Sequence, residues 1–184
     1  MIRMIFLKNE STKKLAYAAL FLALCLVLPL LTGQIPQIGS MLLPMHIPVL
    51  LCGLVCGWQY GAAVGFVAPL LRSLLFTMPK LYPVAIAMAF ELLTYGLVIG
   101  LVYRRLAKKG TVGVYAALLT AMAAGRLVWG AAEVVLLGLN GNAFTAQAFL
   151  AGALLNAVPG ILVQLILIPA VMAALQKANA LEKE

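Results

Sequence analysis

The sequence predicts an all-α membrane protein: a six-transmembrane-helix bundle with short loops and both termini in the cytoplasm. Three observations predict it: an apolar composition, six separable apolar segments, and basic residues gathered at alternate ends of those segments. The 184 residues are 65% hydrophobic and 10% charged, with a mean hydropathy of +1.09. A water-soluble domain covers itself with about 25% charged residues, so the excess apolar surface here faces lipid. Six spans of about 20 residues each use roughly 120 residues. The remainder is too short for a separate soluble catalytic domain, and residues 1–184 are expected to form a single transmembrane domain.

The first apolar run, Leu15 to Leu31, follows a stretch holding Arg3, Lys8, Lys13 and Lys14. Its sequel, Thr32-Gly33-Gln34-Ile35-Pro36, lacks a small-residue cleavage site, so it reads as a retained first helix rather than a signal peptide. Segment two, Met45 to Cys56, is short and enters through Pro44 and Pro48; proline is tolerated in a first helical turn. Gly57-Trp58-Gln59-Tyr60-Gly61 reads as a tight turn with interfacial aromatics, and segment three follows from Ala62 to Phe76. These two segments either cross separately or form one re-entrant hairpin, which would leave four complete spans. Segment four is Pro83 to Tyr103 and segment five Val112 to Leu137. Segment six, Phe149 to Leu175, contains Pro159 and Pro169 and is expected to kink or break near Asn156–Gly160.

Charge placement independently supports six crossings. Ten of the thirteen basic residues lie in the N-terminal tail, in the stretch Arg104-Arg105-Lys108-Lys109, and in the C-terminal tail with Lys177 and Lys183. The opposite loops hold only Lys80. By the positive-inside rule the basic side is cytoplasmic. The net charge of +8 is therefore a topology signal, and no basic groove with interleaved aromatics suggests nucleic acid.

Ionised side chains inside a span are costly and belong in the protein interior or a wet cavity. Arg72, Glu91, Arg126 and Glu133 are such residues. Glu91 falls about 12 Å below the outer start of its helix at 1.5 Å per residue. Arg126 and Glu133, seven apart, share a helix face, with Trp129 between them. The group clusters in the outer half of the membrane. The functional reading is an outward-facing pocket: Arg126, Trp129 and Glu133 on one wall, Glu91 and Tyr95 on another, and Asn156 and Gln164 adding neutral donors and acceptors. Arg72 is a further candidate contact. Such a mixture suits a small polar molecule. The structural alternative is internal pairing, for example Arg72 or Arg126 with Glu91. The sole histidine, His46, reads as an interfacial helix-start residue. Cys25, Cys52 and Cys56 read as small buried hydrophobes. No metal site and no cofactor is expected.

Several of these segments carry a resemblance. The basic Thr12-Lys13-Lys14 start, the strip Ala19-x-x-x-Ala23, the run Pro44-Met45-His46-Ile47-Pro48-Val49-Leu50-Leu51-Cys52-Gly53, the turn from Gly57 to Gly65, and Glu91-Leu92-Leu93-Thr94-Tyr95-Gly96 follow in order across nearly the whole chain. In this it resembles the substrate-binding subunits (S components) of prokaryotic energy-coupling factor transporters, which import vitamins and related micronutrients across the cell membrane. The resemblance implies six helices, cytoplasmic termini and an outward pocket, with the loops 33–43 and 77–82 as lids. It also implies that Ala19 and Ala23 dock on a membrane-embedded coupling subunit, and that two cytoplasmic ATPase subunits supply the energy. The chain itself has no GxxxxGK[ST] nucleotide motif, so it is not expected to be an enzyme. Pocket residues vary with ligand in this class, and the substrate is expected only to be small, water-soluble and vitamin-like. A stand-alone carrier or channel is the alternative, though no internal repeat supports it. A membrane enzyme using Glu91 and Glu133 is disfavoured, because neighbouring arginines weaken a general base.

Overall fold

The computed structural model describes residues 2–32, 41–139, 145–152 and 157–178, and their regular elements are all helices. Helix α1, Ile2–Val27, ends in a 3₁₀ turn, Leu28–Thr32. It starts well before the apolar run because the polar prefix contains no glycine or proline to stop it.

Helix α2, His46–Val55, has ten residues. At 1.5 Å per residue it is about 15 Å long, half of a hydrocarbon core of about 30 Å. Segment two is therefore helical over only half a membrane thickness. Among the described residues, five helices are long and apolar enough to cross, and α2 is an additional short one. Just ahead of it, Leu43 adopts a left-handed conformation (φ 51°) and its carbonyl accepts the His46 amide at 3.0 Å.

The expected five-residue turn is tighter than the sequence suggests. Gly57, at φ 96°, reverses the chain by itself, a conformation open to glycine. Trp58, Gln59 and Tyr60 already form the first turn of α3, Trp58–Phe76. An irregular turn, Leu81–Ala85, leads into α4, Ile86–Leu106, whose last turn carries Arg104 and Arg105. Cations there complement the negative end of the helix dipole. Helix α5 is Thr111–Leu139, α6 is the short Ala146–Leu150, and α7 is Val158–Lys177. The expected break in segment six is observed: α7 starts at Val158, with Pro159 in its first turn and Pro169 inside it.

Helix α4 is the centre of the bundle, packed on α2, α3 and α5, while α1 lies on α2 and α3, and α7 on α5 and α2. The approach of α3 to α4 depends on two glycines. A Cβ on Gly96 would overlap the Gly61 carbonyl, and one on Gly61 would fall 2.9 Å from the Gly96 oxygen. Val49, Leu50, Leu92, Ile99, Leu118 and Ile168 are fully buried between these helices. Leu74, Val112, Leu127 and Ile166 are exposed on the outside, as expected of a surface solvated by lipid. Cys25, Cys52 and Cys56 are buried and free, as small core residues. Of the long helices α1 is the least enclosed. Ala18 faces inward, whereas Ala16, Ala19 and Ala23 are exposed.

Candidate functional site

A buried polar cluster forms where four helices meet. The basic ends of the helices give a common ruler. Glu91 lies 13 residues before Arg104, Arg126 lies 15 after Thr111, and Gln164 lies 13 before Lys177. At 1.5 Å per residue all three are about 20 Å from that end. His46, at the start of α2, reaches the same level by direct contact. Its Nε2 is 3.5 Å from Glu91 Oε1, and its ring meets Tyr95 edge-on at 5.2 Å.

Glu91 is the hub. Its Oε1 is 3.0 Å from Arg126 Nη1 as well as close to His46. Of the pairings considered from sequence, Arg126 with Glu91 is the one formed. Tyr95 lies one turn along α4 from Glu91, buried to 1% exposure, and Gly125 leaves room for its ring against α5. His46, Glu91 and Gln164 are equally enclosed, each 1% exposed. Gln164 sits on the inward stripe Gly160, Gln164, Ile168 and Met172 of α7.

The cluster is incompletely satisfied. Both ring nitrogens of His46, Glu91 Oε1, Arg126 Nε and Nη2, and both amide atoms of Gln164 are buried without a hydrogen-bond partner. The Arg126–Glu91 contact is thus a charge contact rather than an aligned hydrogen bond. Buried polar groups in proteins are nearly always paired, so seven such atoms at one depth on four helices make this the candidate site.

The other expected residues fall around this centre or away from it. Glu133 is buried two turns further along α5, on the Arg126 face and within electrostatic range of Glu91. Trp129 stacks on Phe149 of α6 at 6.2 Å, which ties it to the connection before α7. Arg72 is buried but turns elsewhere: its Nη1 donates to the Leu26 carbonyl of α1, and its guanidinium lies 5.0 Å from the Phe76 ring. Asn156 and most of the loop 33–43 lie outside the described residues. His46 is the correction. It starts a helix as expected, but that helix begins inside the protein, not at the interface. The signal was present in the shortness of the run between Pro48 and Gly57. A groove lined by Phe90, Val128, Ala132 and Leu136 also opens between α4 and α5, but it is apolar and separate from the cluster.

Among the described residues no group of histidine, cysteine and carboxylate side chains is arranged to hold a metal ion. The arrangement offers a cation, two carboxylates, an imidazole, a phenol and an amide in an apolar enclosure, which is equipment for recognition rather than for bond breaking.

No curated protein and no solved structure matches the chain significantly. The family described as the ECF transporter, substrate-specific component, matches residues 13–177. That span includes every residue of the buried cluster, α1 from Lys13 onward and the other four long helices entire, and the chain belongs to this family of membrane-embedded, substrate-binding transport subunits.

Proposed function

We propose that the protein captures a small, water-soluble, vitamin-like molecule at the His46–Glu91–Arg126–Gln164 cluster, in a cavity facing the outside of a prokaryotic cell membrane. It then delivers the molecule inward together with a coupling transmembrane subunit and two cytoplasmic ATPase subunits. The observation that carries this reading is the set of orphaned polar atoms at one depth of an otherwise apolar bundle. A purely structural network would have satisfied them, since each unmet group costs about 1–3 kcal/mol. Tyr95, Glu133 and Trp129 are assigned to the same cavity, whereas Arg72, turned to α1, is left outside it. The exposed Ala19 and Ala23 on the least enclosed helix support a docking strip for the coupling subunit, because small residues let helices approach closely in lipid.

Mass spectrometry of small molecules released from the gently purified protein tests the proposal. A polar molecule retained by the natural protein and lost from Gln164→Leu is expected. The same substitution removes two unsatisfied buried atoms, so the ligand-free variant gains about 1–2 kcal/mol of stability. Equal retention by both proteins, or a destabilised Gln164→Leu, would show that Gln164 belongs to an internal network.

A further inference from the structure

We infer that the molecule bound at this cluster is a monocarboxylic acid with N–H donors at its far end, its carboxylate seated on the free edge of Arg126. This deepens the binding reading above and rests on it. A guanidinium presents its donors in a fixed planar fork. Nη1 of Arg126 is turned to Glu91, 3.0 Å away. Nε and Nη2 share the opposite edge, and both are buried without a partner. Two parallel N–H groups on one edge match the two oxygens of a carboxylate, and such a bidentate pair is both strong and directional.

The surroundings favour one negative charge at this edge. Helix α2 begins here, with no side chain capping its N-terminus, so its dipole adds positive potential. His46, buried at 1% exposure, has no hydrogen-bond partner at Nδ1, and its Nε2 lies 3.5 Å from Glu91 Oε1. The same surroundings disfavour a phosphate. Arg126 is the one permanent cation of the cluster and Glu91 already shares it, so a dianion would add two negative charges to a low-dielectric site where a monocarboxylate adds one.

Glu133 sets the other end. Glu133 lies seven residues further on the same face of α5, about 10 Å along the helix axis from Arg126. Among the described residues no cation pairs with it. A second acid on the ligand would be repelled there, whereas an amine, amide or ring N–H would be accepted. Arg126 and Glu133 thus give the cavity a polarity along its length, and the ligand is its complement.

The test uses the full chain in nanodiscs, freed of bound small molecules, and isothermal titration with matched probes. The acids are 4-aminobenzoate and pantothenate. Their neutral counterparts are 4-aminobenzamide and pantothenol, and thiamine and riboflavin serve as ligands without a carboxylate. At least one acid is expected to bind, and its neutral counterpart about thirtyfold or more weakly. Arg126→Gln is expected to abolish that preference. Arg126→Lys keeps the charge but not the paired edge, and is expected to lose most of it; this variant decides the matter if Arg126→Gln fails to fold. Acid and counterpart binding equally, or no acid binding, would overturn the inference. Binding of thiamine or riboflavin alone would overturn the carboxylate while leaving the substrate-binding reading standing.

Discussion

Glu91→Gln should destabilise the protein far more than Arg126→Gln, although the two residues form one ion pair. At 3.0 Å and an effective dielectric of 20, the gross attraction is about 5–6 kcal/mol. Removing Glu91 leaves the guanidinium enclosed with no counter-charge, and breaking a buried pair this way costs about 3–5 kcal/mol. Removing Arg126 is less severe, because Glu91 still has His46 at 3.5 Å, and about 1–2 kcal/mol of the loss is recovered. The double variant Glu91→Gln, Arg126→Gln holds no unpaired charge and should be more stable than Glu91→Gln alone. For a chain of this size 1 kcal/mol corresponds to about 2–4 °C in Tm. Glu91→Gln should therefore melt about 6–20 °C below the natural protein, with the double variant in between. Thermal unfolding in one detergent at one scan rate is the assay, since membrane-protein unfolding is commonly irreversible. Additive losses in the double variant would refute the reasoning, because they would mean that the two charges do not depend on each other.

Four further outcomes follow from the packing and the charges. Gly96→Ala forces a methyl group into the Gly61 carbonyl and should cost about 1–3 kcal/mol or more; a thermal midpoint equal to the natural protein's would mean that α3 and α4 separate freely. Arg72→Gln breaks the link to the Leu26 carbonyl and should lower stability by about 1–3 kcal/mol without changing ligand affinity, which titration of the variant measures. Ala19→Leu with Ala23→Leu should leave ligand binding intact and prevent co-purification with the coupling subunit; a normal yield of complex would turn the strip toward another role. A cysteine at position 108 should be labelled only from the cytoplasmic side of intact cells, and the buried Cys25, Cys52 and Cys56 keep the background low.

Much of the bundle is legible in the sequence because lipid leaves few alternatives for an apolar run. The long helices of segments three to six follow from apolar length, and two of their starts from Gly57 and Pro159. The polar centre is only half legible. Glu91, Arg126 and Glu133 stand out as charges in apolar runs, and burial of each follows from the cost of exposing them to hydrocarbon. Which partner each takes does not follow. Arg72 and Arg126 look alike in sequence, yet Arg126 faces Glu91 while Arg72 satisfies a carbonyl of α1. That choice is set by the rotation of α3 and α5 about their axes, which the Gly61–Gly96 contact and the whole core decide together. His46 is the clearest case. A lone histidine beside prolines resembles an interfacial residue until the depth of its helix is known.

That depth also bears on the number of crossings. The basic residues of the N-terminal tail and of the stretch 104–109 share one side only if the chain between them crosses an even number of times. If α1, α3 and α4 are three crossings, the stretch between Thr32 and Trp58 has to supply a fourth. Helix α2 covers about 15 Å of it on the side of Arg104, since Trp58 abuts Gly100. The thirteen residues between Thr32 and His46 reach much further than the remaining 15 Å, at about 3.3 Å each. Backbone at membrane depth that is not regular helix is tolerated only where protein or a wet cavity surrounds it. On this reasoning the proposed cavity would take the place of the missing half of the crossing. If the ligand occupies that half, lengthening α2 outward by a helical turn should abolish binding while leaving the topology unchanged, and unchanged binding by the lengthened variant would refute it.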